Sequence, residues 1–260
     1  MTMIEVADGV WIRRHPELDL TLGLVVGETG CLVVDTGIDE AFGQAWADAI
    51  REVTDLPWTV VLTHAHFDHA FGTAAFGTCF ATEGCREALV DTAHKQVSEW
   101  SGEFPGIATA PVVLPLRAPF SVDLGGREVL LGHPGPGHTG HDLTVHVPDA
   151  GVLFAGDLVE HGAPPQFGDS YPGAWPMALE KMLEAAPKVI VPGHGDPVTP
   201  DFVERQRAEI TEIVTLCERL NRGEIDIEAA VARSPYPRKT LEEALGRTIR
   251  RRPLRRPDGR

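Results

Sequence analysis

Positive charge is scarce in this chain. Lys and Arg number 23 against 38 Asp and Glu, a net charge of −15 with His neutral. Such a surface repels phosphate backbones, so nucleic acid is not expected as a partner. The basic residues are unevenly spread: residues 247–260 hold seven Arg and one Asp, which reads as a solvated terminal tail. Cysteine is sparse too. Cys31, Cys79, Cys85 and Cys217 form no CxxC pair, which excludes a disulfide scaffold and fits buried free thiols in a reducing, cytoplasmic setting. No run of 18 apolar residues exists, so no membrane span is expected. The opening MTMIEVADGVWIRRH has no basic start followed by an apolar stretch, so no signal peptide is expected either. What remains is ordinary globular composition, 43% apolar over 260 residues, enough to bury roughly 70–75% of the unfolded surface.

Short apolar runs over residues 3–15, split by Asp8-Gly9, predict two strands. Thr21 to Val26 and Cys31 to Val34 predict a hairpin around Glu28-Thr29-Gly30. A helix is expected from about Asp39 to Val53, with Ala41, Ala45, Ala49 and Ile50 on one face. Trp58 to Leu62 is a continuous apolar run, as in a strand buried on both faces. A helix is expected near 83–97, a loop over 98–111, strands near 120–124, 127–133, 142–147 and 151–155, a helix near 174–186 and a strand at 188–191. After Pro200 the pattern turns helical: Asp201 to Asn221 is amphipathic, and Ile225 to Ala232 and Thr240 to Ile249 read as two further helices.

Five of the eleven histidines lie at strand ends or turns beside Asp and Gly. Residues 63–69 read THAHFDH. His64 and His66, two apart on an extended stretch, face the same way, and Asp68 and His69 follow where the chain turns. Three more segments add to this: Gly137-His138-Thr139, Gly156-Asp157-Leu158 and Gly193-His194-Gly195. Imidazole and carboxylate donors without thiolate suit zinc, and also iron or manganese.

The order HxHxDH, GHT, GD and PGHG resembles the metallo-β-lactamase-fold hydrolase superfamily over about residues 3–198, and Val33 to Gly37 matches its DTG turn. The resemblance implies an α/β fold, a four-layer αβ/βα sandwich with the metals at one edge between two sheets. Residues 1–198 are then the catalytic core, 199–251 helices that complete it and form a C-terminal extension, and 252–260 a basic tail. It also implies that His64, His66 and His138 hold one metal ion and that Asp68, His69 and His194 hold a second. Asp157 bridges the two, and Asp35 orients a metal-bound histidine. His141, three residues after His138, is the alternative ligand at that position.

By the same resemblance the chain is a binuclear metal-dependent hydrolase with two divalent ions, zinc before iron or manganese. A hydroxide shared by the ions attacks an ester, thioester, lactone or amide carbonyl of a small molecule, and Asp68 orients it as a catalytic residue. The ligand set is that of glyoxalase II and the lactonases rather than of true β-lactamases, which generally carry Cys or Ser in place of Asp157. The alternatives are a mononuclear iron oxidoreductase resembling the persulfide dioxygenases and a β-lactamase of weak activity. His161, Asp169 and Tyr171 are candidates for the substrate pocket, because they follow the bridging Asp157 in a turn-rich segment. Phe167 and Trp175 are read as either pocket wall or core.

Overall fold

A computed structural model of the chain describes residues 3–107, 113–117 and 120–248. The basic tail 252–260 and residues 108–111 of the expected loop lie outside the described residues. The strands are β1 (Met3–Ala7), β2 (Val10–Arg14), β3 (Thr21–Val26), β4 (Cys31–Val34), β5 (Trp58–Val61), β6 (Cys79–Thr82) and β7 (Val113–Leu116) in one sheet, in that order. β1 to β4 pair antiparallel and β4 to β7 parallel. The second sheet is ordered β12 (Val189–His194), β11 (Val152–Glu160), β10 (Thr144–Val147), β9 (Glu128–Gly132), β8 (Phe120–Asp123), with β11 and β12 parallel and the rest antiparallel.

Alternation along the strands builds four layers. In β3, β4 and β5, Leu22, Leu24, Val33 and Val60 face helices α1 (Glu40–Val53) and α3 (Glu83–Trp100). Their neighbours Val25, Leu32, Val34 and Val61 face the other sheet and meet Val129, Val145, Val152 and Phe154. On the far side Leu153, Ala155 and Ile190 pack against α4 (Trp175–Leu183), α5 (Pro200–Asn221), α6 (Ile227–Val231) and α7 (Arg238–Thr248). Central strands thus bury both faces, which is why they read as unbroken apolar runs. All four cysteines are buried free thiols. Among the described residues no helix is long and apolar enough to cross a membrane.

Three details differ from the sequence reading. Helix α1 buries Gly43, Trp46, Ala47, Ala49 and Ile50, while Ala41 and Ala45 face solvent. Burying the large Trp46 ring outweighs the alanine spacing. Strand β7 lies in a stretch for which the sequence suggested no element, and its Pro115 is tolerated since β7 is the edge of its sheet. Strand β11 runs on to Glu160 instead of ending near 155: Gly156, at φ 53°, introduces a register shift and the strand resumes beyond it.

Candidate metal centre

The carboxyl ends of β5, β11 and β12 converge on one edge of the sandwich, where an isolated bridge joins Leu20 to His194. β5 delivers His64 and His66 in the turn after its last residue, and Asp68 and His69 sit on the short helix α2 (Phe67–Ala70). Gln96 of α3 fixes that turn: its Nε2 donates to Ala65 O at 3.0 Å, and its Oε1 accepts the Phe67 N–H at 2.8 Å. His138 lies in the β9–β10 loop, Asp157 within β11, and His194 at the end of β12. Gly193 is required here, because a Cβ at that position would sit 1.9 Å from Asp157 Oδ1.

Two groups of donors result. His64 Nε2 and His138 Nε2 lie 3.1 and 3.0 Å from His66 Nδ1. His69 Nε2 and His194 Nε2 are 3.3 Å apart, and Asp68 Oδ2 is 3.3 Å from His194 Nε2. The Asp157 carboxylate touches both groups: Oδ2 is 3.5 Å from His64 Nε2 and 3.4 Å from His138 and His194, and Oδ1 is 3.1 Å from His69. All seven residues expected as ligands are therefore brought together. His141 is not among them; its N–H bonds Thr139 Oγ1, and its ring Nε2 is buried without a partner among the described residues.

Outer hydrogen bonds decide which ring nitrogen faces inward. His69 Nδ1 donates to Asp35 Oδ2 at 2.8 Å, and His194 Nδ1 donates to Leu18 O at 2.7 Å. Thr63 Oγ1 donates to the same Asp35 oxygen at 2.8 Å, so it accepts from His64 Nδ1 at 3.0 Å. His66 Nε2 donates to Asp169 Oδ2 at 3.2 Å. Four imidazoles are thereby set with a lone pair pointing at the others, an arrangement that a cation relieves. The spacings of 3.0–3.1 Å in the first group are near the ~3.3 Å edge of a tetrahedron with metal–nitrogen bonds of about 2.0–2.1 Å. The donor set thus fits divalent metal.

Charge follows the same plan. Burial pushes His64 well down and holds His138 at about 4, so both remain neutral donors. Burial also opposes charging His69 and His194, but Asp157 together with the other carboxylates raises both well above the usual histidine range. Burial disfavours charge on Asp157 and Asp68, yet the adjacent imidazoles hold both well below the usual carboxylate range.

The three candidate pocket residues are placed differently. Asp169 stands at the rim against His66. Tyr171 is 48% exposed, anchored by its N–H to Gly137 O at 2.8 Å. His161 packs on Phe202 with ring centroids 5.4 Å apart, and its Nδ1 accepts the Asp196 N–H. Phe167 and Trp175 are core. Several contributors had gone unread. Thr63 links Asp35 to His64, and Asp142 ties the His138 loop through the Thr139 N–H and O–H. Burial raises the Asp142 carboxyl to about 7. Glu160 is buried beside Asp157 and His194, and its signal was a second carboxylate in the apolar run that carries Asp157. Arg247 of α7 donates to the carbonyls of Ser170 and Asp169.

Comparison with known proteins agrees with the fold. The profile of the metallo-beta-lactamase superfamily matches residues 21–194. A beta-lactamase-like protein 2 homolog of Drosophila melanogaster is 30% identical over 171 residues, covering 64% of this chain and 55% of that protein. A metallo-beta-lactamase type 2 of Bacillus sp. (strain 170) is 27% identical, covering 66% of each. This chain therefore spans just over half of the first relative and about two thirds of the second. Human acyl-coenzyme A thioesterase MBLAC2 is 23% identical over 82% of this chain and 81% of its own. The solved metallo-beta-lactamase from Pontibacter korlensis superposes with a TM-score of 0.66 at 20% identity, over 81% of this chain and 98% of that one. With its two-sheet sandwich, its histidine and aspartate cluster at the sheet edge and this profile match, the chain belongs to the metallo-β-lactamase superfamily.

Proposed function

We propose that this chain is a cytoplasmic hydrolase of small esters, thioesters, lactones or amides that works with two divalent ions, zinc first among the candidates. The observation that carries the reading is the Asp157 carboxylate, whose two oxygens reach donors of both groups at 3.1–3.5 Å. Two ions, held by His64, His66 and His138 and by Asp68, His69 and His194 with Asp157 between, would supply Lewis acidity and a water of lowered pKa. His64, His66 and His138 line the side that faces the scissile carbonyl. Asp68 accepts a hydrogen bond from the attacking water at its carboxylate and so sets the direction of attack. Asp169 and Tyr171, at the rim, meet the part of the substrate beyond the carbonyl. His161 has its Nδ1 engaged, which leaves Nε2 for a substrate contact. The relative named as an acyl-coenzyme A thioesterase supports thioesters among these classes. The relatives named as metallo-beta-lactamases support a second reading, slow β-lactam cleavage.

The experiment is a panel of thioesters, lactones, β-lactams and phosphodiesters on zinc-, manganese- and iron-loaded protein, with oxygen uptake followed in parallel. An ester or thioester is expected to give the highest kcat/KM. Asp68→Asn keeps the size of the side chain but loses an anionic acceptor, so kcat is expected to fall about 10²–10⁴-fold. Substrate-dependent oxygen uptake with iron and no hydrolysis on the panel overturns the hydrolase reading. A penicillin or carbapenem outrunning every ester overturns the substrate assignment.

A further inference from the structure

Glu160 ends β11 directly opposite His194 in the β11–β12 register. Its backbone N–H is held by Gln206 Oε1 of α5 at 3.0 Å, so the residue is fixed in place. The side chain is only 4% exposed. Among the described residues no hydrogen bond and no Lys or Arg reaches its carboxylate. A carboxylate stripped of water without a partner is costly, and a second carboxylate beside it makes it more so. Glu160 has such a neighbour: one ligand atom each from Asp157, Glu160 and His194 lie within 4.8 Å of one another. A cation placed among these three relieves the desolvation, the repulsion and the missing partner together.

We propose that Glu160 is an additional oxygen ligand beside Asp157 and His194 at the second position, and that it makes this position one that accepts manganese(II). The inference rests on the two-ion reading above but not on the reaction assigned to it. The two positions then differ in chemistry. The first offers three imidazoles, the donor preferred by zinc. The second offers three carboxylates, Asp68, Asp157 and Glu160, with two imidazoles. That is an oxygen-rich set of higher ligand number, suited to a harder ion that takes more than four ligands. The centre is thus asymmetric, imidazole-rich at His64, His66 and His138 and carboxylate-rich at the position that accepts manganese once zinc fills the first.

Metal binding without substrate tests this. Chelator-stripped full-length protein is equilibrated with one equivalent of Zn²⁺ and then titrated with Mn²⁺, with bound Mn²⁺ read by electron paramagnetic resonance and both metals by elemental analysis. Wild type is expected to take up one Mn²⁺ beside one Zn²⁺. Glu160→Gln, which keeps the shape and loses the charge, is expected to weaken Mn²⁺ at least tenfold while the tight Zn²⁺ is retained. Glu160→Asp, with its shorter reach, is expected to fall between them, and it serves as the second variant if the glutamine form does not fold. Mn²⁺ affinity within threefold of wild type in both variants overturns the ligand role. No Mn²⁺ taken up beside the single Zn²⁺ in wild type overturns the manganese assignment. A ceiling of one metal per chain in wild type overturns both this inference and the two-ion reading, whereas failure on the substrate panel with the mixed pair intact removes only the hydrolase assignment.

Discussion

Replacing Asp35 by asparagine changes a single atom and reaches both groups of donors. Asp35 is buried, at φ 62°, and its Oδ1 accepts the Thr63 N–H at 2.7 Å. Its Oδ2 accepts two further donors, Thr63 Oγ1 and His69 Nδ1, each at 2.8 Å. In Asp35→Asn one oxygen becomes an NH₂ group. If the amide keeps its oxygen towards Thr63 N–H, its nitrogen faces His69 Nδ1 and forces that atom to accept. The ring proton then sits on Nε2, the atom 3.1 Å from Asp157 and aimed at the metal position. If the amide flips, its NH₂ opposes the Thr63 N–H and a buried donor is stranded. Loss of an outer-shell partner costs about 10–100-fold in metal affinity, roughly 1.4–2.7 kcal/mol, at the position that includes His69. The stranded or mismatched bond removes about 1–3 kcal/mol of folding stability besides. The assay is a competitive chelator titration with elemental analysis, alongside urea unfolding of the metal-free form. Both ions are expected to weaken, the one at His69 at least tenfold, because Thr63 Oγ1 loses the acceptor that sets His64 as well. Two ions bound with unchanged affinity refutes the claim that Asp35 sets the His69 tautomer.

Gly193→Ala is expected to leave the far-ultraviolet circular dichroism intact but to lower metal stoichiometry, because the new Cβ displaces Asp157, the carboxylate common to both groups; normal stoichiometry shows that the strand yields instead. The raised values of His69 and His194 carry a pH sign. In the metal-free chain their ion pairs with the carboxylates stabilise fully below about pH 6.5 and fade as pH rises through the raised values. Melting with chelator present is therefore expected to show falling stability above neutral pH. Metal uptake at neutral pH is expected to release protons and to weaken on acidification, which calorimetry in buffers of different ionisation enthalpy measures. Arg247→Ala removes the two hydrogen bonds from α7 to the Asp169–Ser170 segment. It is expected to lower Tm by about 2–4 °C and to raise KM more than it lowers kcat; an unchanged KM separates this helix from the pocket.

The central strands and the donor-rich segments were legible in the sequence because both are local pattern, whereas the layers and the pairing of the donors were implied by the family resemblance. Continuous apolar runs such as Trp58 to Leu62 mark strands buried on two faces, and HxHxDH concentrates four donors where a strand ends. What joins those segments is long-range and leaves little local trace. Thr63 is an ordinary residue until Asp35, from β4's end, comes within 2.7 Å of its N–H. Leu18 contributes through its carbonyl, which no side-chain motif encodes, and Arg247 reaches Asp169 from the last described helix. Glu160 lay beyond the strand expected over 151–155; only the longer β11 and its pairing with β12 set it against His194 and Asp157. Residue types determined which donors exist, because coordination chemistry selects imidazole and carboxylate. Tertiary packing decided which nitrogen of each ring faces inward, because that rests on hydrogen bonds to partners distant in the chain.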